Sequence, residues 1–117
     1  MTLLVARLTE LLERTGDWAP LREGVEIRRL AGDPDAGATV ALLRYRPGAR
    51  VPAHHHPGFE VIYVLRGSQN DERGHYPTGT LVVNPRGVEH SVWSDDGCVV
   101  LIVWERSVEF TGETPEA

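Results

Sequence analysis

The chain has one cysteine among 117 residues, few basic groups and no apolar run long enough to cross a bilayer. A lone cysteine cannot close an internal disulfide, so nothing marks the protein as secreted and a reducing cytosol is the expected location. Cys98 is expected to act as a small buried hydrophobe at a strand start rather than as a reactive thiol. Lys and Arg total 12 against 17 Asp and Glu, a net charge of -5, and no basic block or aromatic-interleaved basic stripe occurs. Nucleic acid is therefore not an expected partner. The first residues lack both the positive segment and the small-residue cleavage site of a signal peptide, and no membrane association is expected. The length suits one domain with a core that needs no staples.

What is present begins with an amphipathic segment. Leu3, Leu4, Leu8, Leu11 and Leu12 recur at helical spacing, with Arg7, Glu10, Glu13 and Arg14 opposite, until Thr15, Gly16 and Asp17 break the pattern. Its polar face is mixed in sign rather than basic, so this helix is expected to pack on the domain or on a neighbouring subunit. Beyond Trp18 the chain changes to short β-type runs at residues 25–30, 39–46, 60–67, 80–84, 89–94 and 98–105. Between them lie "AGDPDAG", "RPGARVP", "HPG", "NDERG", "NPRG" and "SDDG", all with turn chemistry. No helical stretch separates the strands, which disfavours a parallel α/β sheet. The expected architecture is all-β: an antiparallel barrel or jelly roll over residues 18–108, preceded by a helical segment over 1–17 and followed by a frayed tail over 109–117.

Three of the five histidines are consecutive in "HHHPGFE", residues 54–60. In an extended segment His54 and His56 point to one face with Cα atoms roughly 6.5 Å apart, while His55 points away. After the Pro57-Gly58 turn, Glu60 opens the next strand and can return its carboxylate to that face, with Ile62 and Val64 lining the interior beyond it. A metal site and a solvated polar loop are both open readings of this stretch taken alone. Val61, Tyr63 and Leu65 are also apolar, so the outer face of that strand must be covered. The helix or a second subunit is the candidate cover, and a homodimer formed by sheet packing is expected.

Two spaced patterns extend the argument. Residues 48–67 place Gly48, His54, His56, Glu60 and Gly67 at the intervals of GxxxxxHxHxxxExxxxxxG, and residues 79–94 place Gly79, Pro85, Gly87 and His90 at those of GxxxxxPxGxxHxxxN, with Ser94 where Asn is usual. These resemble the two motifs of the cupin superfamily. Over about residues 18–105 the chain is similar to a subgroup of small cupins like the C-terminal domain of ChrR-type anti-sigma factors. Asp71, Glu72, Gly74, Tyr76 and Gly79 match a "DE.G.Y..G" segment of that subgroup. The resemblance implies that His54, His56, Glu60 and His90 hold one divalent metal ion inside the barrel. Three imidazoles and a carboxylate suit Zn, Fe(II), Mn, Ni or Co, and an octahedral ion would keep two positions for other ligands. An anti-sigma factor of that kind resembles a fusion to an N-terminal zinc-binding helical domain, of which these residues show no counterpart, so sigma-factor binding is not expected.

Other polar residues carry less. His55 is expected outside the site and His75 in an exposed turn. Arg44, Arg46 and Arg86 are expected to be solvated, and Trp93 and Trp104 to be core or interface. The resemblance implies two alternative functions for the metal site. The first is a binding or sensing module that responds to a small molecule or an oxidant without turnover. The second is a metal-dependent dioxygenase acting on a small diketone or hydroxylated aromatic ketone, for which no general base is identifiable beyond Glu60.

Overall fold

A computed structural model describes residues 4–13, 16–33 and 35–110. A short helix α1 (Leu8–Glu13) precedes ten strands: β1 (Ala19–Arg22), β2 (Val25–Gly32), β3 (Thr39–Tyr45), β4 (Arg50–His55), β5 (Glu60–Asp71), β6 (Gly74–Pro77), β7 (Leu81–Asn84), β8 (Glu89–Trp93), β9 (Cys98–Trp104) and β10 (Glu109–Phe110). They form one curled antiparallel sheet in the order β1-β2-β3-β9-β5-β8-β4-β10, with β6 and β7 also on β5. This is the all-β jelly-roll architecture expected from the turn-punctuated sequence.

Strand β5 joins the two halves of the barrel. Its first half, Glu60 to Tyr63, pairs with β7 and β9, whereas Ser68 to Asp71 pair with β6 and Asn70 and Asp71 with β8. The switch falls at a register shift between Val64 and Arg66, followed by Gly67 at φ 69°. A bulge of this kind bends a strand and re-aims the residues beyond it. Glu60, Ile62 and Val64 face the interior, as the period-2 phase requires, and the core closes around them with Val25, Ile27, Leu43, Val100 and Ile102.

Several elements differ from the reading of the sequence. Residues 19–22 and 74–77 form strands where none was expected, and His75 lies in β6 rather than in the turn, although it is exposed. The turn is tighter than "NDERG" suggests because Arg73 N–H donates to Asp71 Oδ1 at 2.8 Å and reverses the chain within two residues. Strand β10 lies inside the expected tail, and its Phe110 pairs with His54. Helix α1 spans six residues, and of its leucine face only Leu11 is buried; Leu4 and Leu8 are exposed, while Leu3 and Arg14 fall outside the described residues. So short a helix has little stability of its own, and it is held by the Arg28 guanidinium, which donates to the Leu11 carbonyl. Over the outer face near β7, Tyr63, Leu81 and Val83 stay exposed. Among the described residues no helix is long and apolar enough to cross a membrane.

Candidate metal centre

The histidine cluster is set by the pairing of β4 with β8. His54 lies directly opposite His90, after an irregularity that re-phases β4 between Val51 and His54. His56 follows just beyond the strand, and its backbone is fastened to the "PRG" turn: His56 N–H donates to the Val88 carbonyl at 2.9 Å and Gly87 N–H to the His56 carbonyl at 2.8 Å. Gly87 turns at φ 92°, a conformation that glycine adopts without steric cost. The three rings meet edge to face with centroids 4.6 to 4.9 Å apart. One ring nitrogen from each lies within 4.8 Å of the others, and all three residues are buried.

The outward nitrogens have partners that fix the inward ones. His54 Nδ1 donates to the Pro52 carbonyl at 2.8 Å, and His90 Nδ1 donates to Asp71 Oδ2 at 3.2 Å. His54 and His90 therefore each present Nε2 as a lone pair. His90 Nε2 lies 3.0 Å from His56 Nε2, so without a cation one of the two must carry a hydrogen. Two ligands held at about 2.1 Å from one ion and at right angles are about 3.0 Å apart, which is the spacing of the His56–His90 pair. Glu60 Oε1 lies beside them, 3.3 Å from His56 Nε2 and 3.8 Å from His90 Nε2, although the group whose atoms all lie within 4.8 Å of one another comprises the three histidines without it.

Glu60 is itself held by two donors. Asn84 Nδ2 donates to its Oε1 at 3.0 Å and Trp104 Nε1 to its Oε2 at 2.5 Å. Both partners come from its cross-strand neighbours, since Glu60 pairs with Asn84 on β7 and with Trp104 on β9. Burial raises its pKa to about 7, against those two hydrogen bonds, which lower it. Burial likewise depresses His54 and His90, and it takes His56 down to about 3 with added repulsion from His54 and His90. Neutral imidazoles in a dry site are the form that binds a metal.

These shifts give the metal-free fold an acid limb. Below pH 6.5 an unfolded chain protonates histidines that the folded chain keeps neutral, so their contribution to stability is lost as pH falls. Glu60 acts oppositely: between its ordinary 4.5 and about 7 the folded chain keeps a proton that the unfolded chain has released, so its contribution falls as pH rises. Three histidines outweigh one carboxyl. Chelator-treated protein is expected to melt at a lower temperature at pH 5 than at pH 7; a higher value at pH 5 would contradict the assignment.

The structure also gives roles to residues the sequence did not single out as site members. Asp71 accepts from His90, from the Tyr76 hydroxyl at 2.7 Å and from Arg73, whose guanidinium also reaches Asn84. Its only signal in the sequence was the matched "DE.G.Y" segment. Carboxylates that orient a metal-bound histidine carry about 10–100-fold in metal affinity. Asp71→Asn is expected to weaken metal binding by about that factor in a chelator competition, whereas Glu72→Gln, whose carboxylate bonds Ser91 instead, leaves affinity unchanged. Ser94, in the place of the usual Asn, is fully buried and donates to the Ser68 carbonyl at 2.6 Å. His55 lies outside the cluster, 3.5 Å from Glu109. Arg44 and Arg86 are tied to Glu26 and Glu105. Burial raises the Cys98 thiol to about 11, consistent with a packing role.

Next to the cluster the barrel holds a cavity of about 400 Å³, lined by His54 and Glu60 at one end and otherwise mainly by apolar side chains. A buried His-rich cluster, opening on an apolar cavity inside a jelly roll, matches the ChrR Cupin-like domain over residues 12–108. The chain belongs to the ChrR cupin-like family. Anti-sigma-E factor ChrR of Cereibacter sphaeroides is 30% identical over 102 residues, 85% of this chain and 46% of ChrR. The chain thus spans about half the length of that relative. Among solved structures, Rhodobacter sphaeroides SigE in complex with the anti-sigma ChrR aligns with a TM-score of 0.68 and 29% identity, over 80% of this chain and 50% of that one. An acetylacetone dioxygenase from Acinetobacter johnsonii aligns with a TM-score of 0.80 over 100% of this chain and 83% of that one, but at 12% identity it shows the fold alone.

These relatives correct one expectation. Sigma-factor binding is not excluded, because ChrR, which shares this cupin-like domain, is an anti-sigma-E factor found in complex with SigE. The opposite expectation rested on the want of an N-terminal ligand-bearing segment, and that feature says nothing about the surface the shared domain presents.

Proposed function

We propose that this cupin is a binding or sensing module for a small molecule or oxidant, working through one divalent ion held by His54, His56, His90 and Glu60. The observation that carries the reading is the convergence of three buried imidazoles, with Glu60 Oε1 close to two of them and His54 and Glu60 also lining the cavity. When bound, such an ion supplies a Lewis acid and, if redox-active, an electron-transfer centre. The chain's own residues then orient the donors and exclude water with an apolar wall.

Access to the site from the cavity is the specific feature that keeps a second reading, the dioxygenase acting on a small diketone or hydroxylated aromatic ketone. Elemental analysis of protein purified without an affinity tag, paired with oxygen uptake, separates the two. Stoichiometric zinc without uptake supports the module, iron with substrate-dependent uptake supports the enzyme, and protein that holds no metal under any loading condition sinks both. A sigma factor stands among the candidate partners by similarity to ChrR, and a cytoplasmic location fits that role. The homodimer expected from the sequence would form on the exposed Tyr63, Leu81 and Val83 face. Sedimentation of the wild type beside Val83→Lys checks it, with a monomeric wild type counting against it.

A further inference from the structure

The charge of the cavity wall is more specific than its shape. Two guanidinium groups, Arg22 and Arg29, line it, and the one acidic residue in the lining is Glu60, whose oxygens already accept from Trp104 and Asn84. In a chain with 17 acidic and 12 basic residues, a cation is expected to find a carboxylate nearby. Four of the described arginines do so: Arg28 meets Asp17, Arg44 meets Glu26, Arg73 meets Asp71 and Arg86 meets Glu105. Arg29 has no ion pair among the described residues, although it lines an apolar cavity.

Its position in the sheet sharpens the point. Val25 and Ile27, at the same phase of β2, are 1% and 2% exposed core residues, whereas Arg29 is exposed, so the row leaves the core at position 29 while still lining the cavity. Arg29 pairs across to Ala41, then Ile102, then Ile62, and Ala41 contributes only a methyl group to this row. The row lies one pleat repeat, roughly 7 Å, from the row that carries Trp104 and Glu60. Arg29 thus lends a cation to the lining of a space of about 400 Å³, within the range of small-ligand sites.

We propose that the cavity binds a small organic anion with an apolar body, a short-chain carboxylate being the simplest case, with its charged end paired to Arg29 and its body against Leu43, Ile62, Val92 and Ile102. This rests on the small-molecule reading above and names the ligand class. A planar guanidinium matches a carboxylate through two parallel hydrogen bonds, and Arg22, stacked 4.5 Å over the Phe110 ring, adds a second positive charge to the wall.

The test is a titration of the full chain, zinc-loaded and metal-free, with hexanoate, hexanamide and hexylammonium as probes. Hexanoate is expected to bind at least about tenfold more tightly than the isosteric hexanamide, the value of one charge-assisted pair, with hexylammonium weakest. Arg29→Gln is expected to bring the hexanoate and hexanamide affinities together while zinc content and melting temperature stay at the wild-type values. Equal affinities for the two probes in the wild type overturn the proposal. A hexanoate preference that survives in Arg29→Gln and disappears without zinc also overturns it, since the anion then sits on the metal alone. An Arg29-dependent preference in protein that takes up no zinc supports the anion site and separately removes the metal reading.

Discussion

Replacing His56 with alanine is expected to abolish metal retention, whereas His75→Ala leaves one ion per chain. His56 is 1% exposed and its Nε2 lies 3.0 Å from His90 Nε2 and 3.3 Å from Glu60 Oε1, so its loss removes the donor that contacts both of the others. His75 is exposed, sits on β6 and bonds Asn70 Oδ1 at 2.7 Å, away from the cluster. The comparison controls for adventitious binding by a histidine-rich surface. The metal-free His56→Ala chain is expected to keep its fold, because burial penalises a charged imidazole there and the neutral core around Ile62 and Val64 is untouched. Plasma elemental analysis after dialysis against a mild chelator reads the result. Equal metal content in the two variants would falsify the assignment of the centre.

How much of this centre was legible in the sequence depends on the range of the interaction. His54, His56 and Glu60 are close along the chain, and the two-residue period of an extended segment is enough to bring the histidines to one face. His90 lies 34 residues from His56, and no spacing argument reaches it without knowing that β4 pairs with β8; there the motif resemblance supplied what periodicity could not. Asp71 was marked only by the matched "DE.G.Y" segment, without a role, and Asn84 and Trp104 were beyond both. Trp104 reads as an apolar core residue in "CVVLIVWE", and only the register placing it opposite Glu60 turns its N–H toward the carboxylate. The fold was legible for the same reason as the histidines: alternating apolar residues between turn-forming clusters define strands locally. Strand β6 escaped because "DERGHY" carries turn residues throughout, and its pairing with the second half of β5 is a property of the hairpin as a whole. The short helix α1 was legible because its leucines satisfy a helical period, although among the described residues of that face only Leu11 is buried.

A large loss of folded stability is expected from Gly67→Ala. Gly67 has φ 69°, and a Cβ built there lies 2.0 Å from the Gly97 carbonyl oxygen and 3.0 Å from Cys98 Cα. The left-handed conformation alone costs an alanine about 1–2 kcal/mol, and an approach of 2.0 Å to backbone leaves no flexible side chain to give way. The strand must move, so the total is expected to exceed about 3 kcal/mol, in the range reserved for strain or clash at a special backbone position. Gly79→Ala is the matched control: φ is 90° but nothing lies within 4 Å, so only the conformational cost of about 1–2 kcal/mol applies. Denaturant unfolding of the metal-free proteins distinguishes them, and losses of equal size would show that the contact with Gly97 does not matter. The consequence reaches the centre because one strand serves it from both ends. Glu60 opens β5 and faces the histidine nitrogens, while Asp71 closes it and holds His90 Nδ1. Those two residues meet the same imidazole only because the strand bends between them, so any Gly67→Ala protein that folds should also bind metal more weakly than Gly79→Ala.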